Sequence, residues 1–469
     1  MCAKGDQPAG PTRSVRDTLG EVQVPADAYY GAQTARAIEN FPVSGEPARW
    51  EIFEAMLMIK RAAAQTHSEL KLLDKGISKA IVSACDELLA GAHRDQFVVD
   101  VYQAGAGTSL NMNVNEVVAA VALERTHRPR DRTHLIHPND HVNMSQSTND
   151  TIPTATQVAV RVRQGQLDQV LGDLAGALAE LAERTPDVWT AGRTHLQDAA
   201  TVRIADRFRG MAVTVTRCRA ELEHVCWLLH ALPLGGSAVG TGLNCHPDYA
   251  RLTVQRLADA TGLPFVVADH LPSAMQSQLP AAAYSGRLRD LAMELGRIAN
   301  DLRLMSSGPT SGIGEIRLPA VQPGSSIMPG KINPVMCECL NMICFRVQGN
   351  DLSVSQAAGA GQFELNVMMP VIAHCVLESQ AILTNYLPAF RTKCIEGIEV
   401  DEAACRRYVE RTVGLGAALN PVIGYERAAQ VVKHAVANDL TIREAAAAFD
   451  DIDPADVEAA LANWLPPAR

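Results

Sequence analysis

The chain has 469 residues, 47 % of them apolar and 20 % charged, which gives room for two or three domains with cores that stand without disulfides. A net charge of −10 excludes nucleic acid and anionic membrane as main partners, since both need a broad basic face, but leaves a small anionic substrate open because a few local cations suffice. Aromatic residues are only 4 % and Ala is abundant, which favours helices over sandwiches or barrels.

The N-terminus is polar and lacks the apolar run of a signal peptide, and no stretch of about 18 apolar residues follows, so no membrane span is expected. Eleven Cys, an odd number scattered along the chain, fit reduced thiols and a cytoplasmic location. Residues 1–146 mix loops, short helices and Gly- and Asn-rich patches, and read as an N-terminal domain. His137 and His141 stand at the spacing of a helical metal pair, but Pro138 argues against a regular helix and no third ligand is evident, so no metal is expected. Ser145-Gln146-Ser147-Thr148-Asn149-Asp150 is the kind of hydroxyl- and Asn-rich stretch that usually forms caps or turns.

From about Thr151 the pattern changes. Leu167, Val170, Leu171, Leu174, Leu178 and Leu181 fall at helical spacing, and Leu288, Leu291, Leu295, Ile298, Leu302 and Met305 repeat it. Similar stretches cover 208–231, 335–349 and 363–388, so residues 147–402 read as an elongated central bundle of long helices. Cys337 and Cys339 in the third stretch point to different helical faces and, with Cys344, read as small core residues. Shorter patterns at Glu426–Ala437 and Thr441–Phe449 make 403–469 a small C-terminal helical domain. The predicted fold class is mainly α.

Just before the third stretch lies Gly324-Ser325-Ser326-Ile327-Met328-Pro329-Gly330-Lys331-Ile332-Asn333-Pro334. Two Gly and two Pro make it a loop with particular backbone angles. Its hydroxyls, Lys and Asn, ahead of a helix, can present backbone N–H groups, a cation and an amide donor to one anion. The alternative is a surface turn with incidental polar residues.

The segment GSSIMPGKINPV closely resembles the signature of the aspartase/fumarase superfamily. Further segments follow in family order: Val24–Gly31, Gly105–Asn113, His137-Pro138-Asn139-Asp140, Ser145–Asp150, Gly192-Arg193-Thr194-His195-Leu196-Gln197-Asp198 and Gly235–Gly242. The resemblance spans about residues 15 to 400. It implies a homotetramer whose active sites draw on three chains, a small dicarboxylate substrate and no cofactor. In Gly105–Asn113 it implies small residues that let backbone donors approach an oxyanion. It makes Ser325 the general base on a mobile loop, puts Lys331, Asn333 and Thr194 on one carboxylate, and brings His195 into the site with Glu338 to orient it. It also implies a second anion site at His137, Asn139 and Asp140.

The chemistry fits these residue types. Removing the weakly acidic C3 proton of a succinate requires charge to spread into the adjacent carboxylate, so preorganised donors there are the main demand. Thr108, Ser109, Ser147 and Thr148, with loop N–H groups, are the candidates; Asn149 is a further substrate-binding residue, and loop glycines with a nearby cation can stabilise the Ser325 oxyanion.

The leaving group is less constrained. Residues 37–41, 105–109 and 139–143 resemble aspartases more than fumarases, although His195 and His137 are shared with fumarases. One departure stands out: where the family reads close to TLGQE, this chain has Arg203-Ile204-Ala205-Asp206-Arg207. Either this rebuilds a surface or subunit contact, or the two arginines face a nitro group, making nitrosuccinate rather than L-aspartate the substrate. L-Malate, for a fumarate hydratase, is the alternative. A catalytically silent structural relative is remote, because Ser325, Lys331, Asn333, His195 and Glu338 are all present.

Overall fold

The structure, a computed structural model, describes residues 10–185, 187–462 and 464. It is mainly helical, as expected. A hairpin of β1 (Thr12–Asp17) and β2 (Gly20–Pro25) precedes α1 (Ala32–Asn40), α2 (Trp50–Glu69), α3 (Lys75–Leu89) and α4 (Thr108–Arg125). Two long helices, α5 (Thr148–Glu183) and α6 (Ile204–Val225), are separated in sequence by a second hairpin, β3 (Trp189–Thr194) and β4 (Gln197–Arg203). Then come α7 (Tyr249–Thr261), α8 (Leu271–Gln276), α9 (Leu279–Met305), α10 (Val335–Gly359) and α11 (Met369–Phe390). The chain closes with α12 (Glu402–Arg411), α13 (Asn420–Ile423), α14 (Tyr425–Asn438), α15 (Ile442–Ala446) and α16 (Pro454–Ala462).

The periodic stretch read as 335–349 continues to Gly359, and the one read from 363 starts at Met369. Asn366 explains both ends. Its Nδ2 donates to Ala357 O and Ala358 O at 3.0 and 3.1 Å, satisfying late carbonyls of α10, while its Oδ1 accepts from Met368 N–H at 2.8 Å ahead of α11. Among the described residues no helix is long and apolar enough to cross a membrane.

Contacts gather the chain into two units. The first comprises the chain up to Asp168, Ala220–Asp290 and Phe345–Leu383. Its centre is α4, buried at every position from Ser109 to Leu123. A helix buried all round must satisfy its polar residues internally, and Glu116 shows how. Its carboxylate accepts from the N–H groups of Gly31, Gln33 and Thr34 at 2.8, 3.0 and 3.2 Å and from the Thr34 hydroxyl at 2.6 Å, which pins the start of α1. A Cβ on Gly31 would meet Glu116 Oε1 at 2.9 Å, so that approach requires glycine.

The second unit comprises Gln169–Arg219, Leu291–Cys344 and the chain from Thr384 on. Within it Leu415, Leu419, Val431, Ile442, Ala445, Val457 and Leu461 form a small C-terminal core. A reciprocal Thr441–Glu444 cap starts α15 beside it. The organisation into domains 1–146, 147–402 and 403–469 is retained as a proposal.

Candidate active site

In the first unit the Gly105–Gly107 segment is shaped by packing. Ala106 and Gly107 both have positive φ, 62° and 84°. A Cβ on Gly105 or Gly107 would lie 3.0 Å from Val367 or 3.1 Å from Ile152. The Ala106 N–H donates to Val367 O at 2.7 Å, so its hydrogen is spent within the fold. What the segment presents instead is the start of α4, with Thr108 and Ser109 as its first two residues and no side-chain cap. The partial positive charge of a helix N-terminus favours an anion there.

Ser147–Asp150 is indeed a cap, and a doubly used one. Ser147 Oγ accepts from Asn149 N–H at 3.2 Å and Asp150 Oδ1 accepts from Ser147 N–H at 2.9 Å, a reciprocal arrangement that starts α5. Asp150 Oδ2 then accepts from the N–H groups of Gly235 and Ser237, both at 3.0 Å. Asn149 Nδ2 donates to Ala238 O at 2.8 Å. The Gly235–Gly242 segment, a family landmark without a role at first reading, is thus the shelf against which Ser147–Asp150 is held. Asp150 is fully buried, and burial pushes its carboxyl up to about 6 against the pull of three backbone N–H groups.

Beneath this cap lie residues that sequence reasoning missed. Lys60 of α2 is completely buried, and its Nζ donates to Asn111 Oδ1 and Asn143 Oδ1, both at 2.8 Å. Asn111 Nδ2 donates in turn to Asn143 Oδ1 at 3.1 Å and Thr148 Oγ1 at 3.3 Å. Burial lowers the Lys60 ammonium to about 7, with Asp150 pulling the other way. A signal was present: Lys60 falls on the apolar stripe of α2 with Met56, Leu57, Ala63 and Ala64, where an exposed lysine has no place.

His137, Asn139 and Asp140 sit on a single wide helical turn, Pro138–Val142. His137 Nδ1 accepts from Asn139 N–H and Asp140 N–H at 3.2 and 3.1 Å, and His141 Nδ1 accepts from His137 N–H at 2.8 Å. Both neutral rings therefore carry their proton on Nε2, and the 3.2 Å approach of Asp140 to His137 Nδ1 is not an ion pair in that state. His137 and Asn139 line a cleft of about 980 Å³ together with Ser109, Arg13, Arg16, Arg36 and Arg130. Part of that positive charge is already matched, since Arg36 pairs with Asp17 at 2.8 Å. Among the described residues no group of three His, Cys, Asp or Glu is placed to hold a metal.

The second unit carries Thr194, His195, Ser325, Lys331, Asn333 and Glu338. Thr194 ends β3, and His195 and Leu196 form the two-residue turn of the β3–β4 hairpin, with φ of 55° and 57°. Such turns favour Asn-Gly, so two bulky residues here are strained, each by about 1–3 kcal/mol. The exposed His195 is held at the tip. The hairpin is anchored by Glu315, fully buried, which sequence reasoning also missed. Glu315 accepts from Arg193 and Arg207 at 2.6 Å each and from the Thr190 hydroxyl at 2.5 Å. Arg207 also donates to Ala191 O at 2.9 Å, and Arg203 lies over the Trp189 ring at 5.1 Å. Both arginines line a cavity of about 740 Å³ with Thr194, yet Arg207 is committed to Glu315. The departure from the family's TLGQE therefore rebuilds the base of the hairpin; it does not supply two free cations.

The Gly324–Pro334 loop closes on itself. Gly324 N–H donates to Lys331 O at 2.9 Å and Asn333 Nδ2 donates to Gly324 O at 2.6 Å. A Cβ on Gly324 would meet Lys331 O at 2.2 Å, so only glycine permits this closure. Ser325 Oγ accepts from Ile327 N–H at 3.2 Å and Met328 N–H at 3.0 Å. Lys331 and the apolar side chains of Ile327, Met328 and Ile332 are exposed. Glu338 lies half-buried in the first turn of α10, beside the buried Cys337, whose Sγ is 3.8 Å from that of Cys394.

Comparison with known proteins places these features in context. Residues 20–349 match the family model described as Lyase, and residues 415–463 match the one described as Fumarase C C-terminus. The aspartate ammonia-lyase of Bacillus subtilis (strain 168) is 45 % identical over 433 residues, covering 92 % of this chain and 91 % of its own. A class II fumarate hydratase of Thermosynechococcus vestitus is 44 % identical over 436 residues, 93 % of each chain. A crystal structure of fumarate lyase:delta crystallin from Brucella melitensis bound to cobalt superposes with a TM-score of 0.92 at 43 % identity, covering 96 % of this chain and 98 % of that one.

Proposed function

This chain belongs to the aspartase/fumarase superfamily of lyases, and from that premise we propose that it is a carbon–nitrogen lyase that eliminates ammonia from L-aspartate to give fumarate. One observation carries the choice of substituent. Ala238 O can only accept, so the Asn149 amide must turn its Nδ2 toward it, and this leaves Oδ1 as an acceptor. An ammonium is donor-only and needs such an acceptor. A nitro group needs donors, and Arg207 is engaged by Glu315 and Ala191 O, which weakens the nitrosuccinate reading.

In this reading Ser325 removes the C3 proton. Its oxygen already accepts two backbone N–H groups, which would stabilise the alkoxide as charge develops. Thr108, Ser109, Ser147 and Thr148 donate to the carboxylate that takes up the carbanion charge. Lys331, Thr194 and the second amide hydrogen of Asn333 hold the other carboxylate. His195, oriented by Glu338, attends the leaving group. His137, Asn139 and Asp140 form the second anion site. The assembly is a homotetramer with each site shared between subunits. Support comes from apolar side chains left exposed on the long helices, Met293, Met342, Phe345 and Leu352, each at 50 % or more. The chemistry uses side chains and backbone amides alone.

The second reading, a fumarate hydratase acting on L-malate, is favoured by the near-equal identity to class II fumarase, because a hydroxyl can also donate to Asn149 Oδ1. Incubating the enzyme separately with L-aspartate, L-malate and nitrosuccinate and following fumarate by ultraviolet absorbance separates the three. Turnover is expected with L-aspartate. Selective turnover of L-malate or nitrosuccinate would replace the proposed substrate.

A further inference from the structure

We propose that Lys60 and Asn111 are positioning residues that set the direction of a buried hydrogen-bond chain and so turn the Thr148 hydroxyl into an outward donor. The inference rests on the reading that Thr148 contacts a substrate carboxylate. Each link follows from what the groups can do. The Lys60 nitrogen has a hydrogen for each asparagine in either charge state, and as an ammonium it has no lone pair with which to accept, so both asparagines beside it present oxygen. With Oδ1 of Asn111 so placed, its Nδ2 faces Thr148, and the Thr148 oxygen becomes an acceptor at 3.3 Å. The hydroxyl hydrogen of Thr148 then points away from Asn111. Asn143 is oriented by the same rule: its Oδ1 faces Lys60 and its Nδ2 donates to Gln146 O at 3.1 Å, which fixes the backbone just before the cap.

Without the lysine, either amide could flip and Thr148 could spend its hydrogen inward on an amide oxygen. A hydroxyl free to rotate offers a carboxylate only part of its time as a donor; one held by this chain is preorganised. Burial excludes water that would otherwise scramble the order, since Lys60 is 0 % and Asn111 1 % exposed.

The decisive substitution is Asn111→Asp. An aspartate still accepts from Lys60, and the opposite charge favours folding, but it has no hydrogen to give Thr148, which must then donate inward. In the full-length enzyme, with whichever of the three substrates is turned over, Asn111→Asp is expected to lower kcat/KM about 10- to 100-fold, the loss of one hydrogen bond to a charged group. It also removes the Asn111 bond to Asn143 Oδ1, which the charge pair with Lys60 offsets in part, so a melting temperature lowered by a few degrees is expected. Thr148→Val should lower kcat/KM by a similar factor, and the double variant should be little worse than either single one. Lys60→Gln, which can both donate and accept, should lower kcat/KM in the wild-type background and have little effect on it in the Thr148→Val background. If Thr148→Val lowers kcat/KM and Asn111→Asp does not, or if the two effects multiply, the chain does not set the donor and the inference falls. If Thr148→Val itself leaves kcat/KM unchanged, the substrate-contact reading of Thr148 fails, and the inference with it.

Discussion

Around Thr148 the polar atoms are fixed from below: Lys60, Asn111, Asn143 and Asp150 are tied to backbone or to one another, and Lys60 and Asp150 are fully buried. Around Ser325 the loop holds itself by contacts within eleven residues, and Ile327, Met328 and Lys331 face solvent. The candidate residues thus come in two kinds. The first is a preorganised set of donors suited to recognising a carboxylate. The second is an exposed set, including the strained tip at His195, suited to groups that must move or react. Binding benefits from rigidity, because ordering is completed during folding, while a base that must admit substrate benefits from weak local anchoring.

Substitutions on the two sides should separate accordingly. The largest effect on rate is expected from Ser325→Ala, a fall in kcat of about 10²- to 10⁴-fold with thermal unfolding unchanged, because among the described residues the side chain bonds only within its own loop. An unchanged rate would mean that another group is the base. Asp150→Ala should do the reverse to stability. It leaves three backbone N–H groups, that of Gly235 buried, without their acceptor and the buried Lys60 ammonium without its opposite charge, a loss of about 3–5 kcal/mol readable by denaturant titration. A loss below about 1 kcal/mol, within the range of an exposed ion pair, would break the contrast between the two regions.

The rigid side also predicts a pH signature. His67 of α2 is buried against the Tyr249 ring at 4.8 Å, and burial lowers its pKa to about 4 from the ordinary 6.5. Between those values the unfolded chain binds a proton that the folded chain does not, so stability falls as pH drops from 6.5 toward 4 and is fully present above 6.5. The amplitude is on the order of 3 kcal/mol, and His67→Phe should flatten that part of the profile. An unchanged profile would mean that His67 keeps an ordinary pKa. The smallest effect belongs to the hairpin tip: Leu196→Gly should stabilise by about 0.5–1 kcal/mol by relieving a positive φ of 57°. A lower melting temperature would show that the turn is not strained.

Much of this was legible in the chain. The long helices announced themselves because their apolar residues repeat every three or four positions, and the Gly324–Pro334 loop because its glycines and prolines forbid regular structure. The Ser145–Asp150 stretch was readable as a cap or turn from its hydroxyls and Asn. Where reading failed, the missing information was the partner. Arg207 looked like a free cation until Glu315 was found 108 positions away.

Sequence alone determined the helical class, the order of the segments and the chemical types gathered in them, since periodicity and turn chemistry act between near neighbours. Only the tertiary structure decided which way the amides of Asn111, Asn143 and Asn149 face and which cations are spent. Those outcomes depend on partners 51, 83 and 89 residues apart, brought together by packing. A hydrogen bond has a direction that composition does not record.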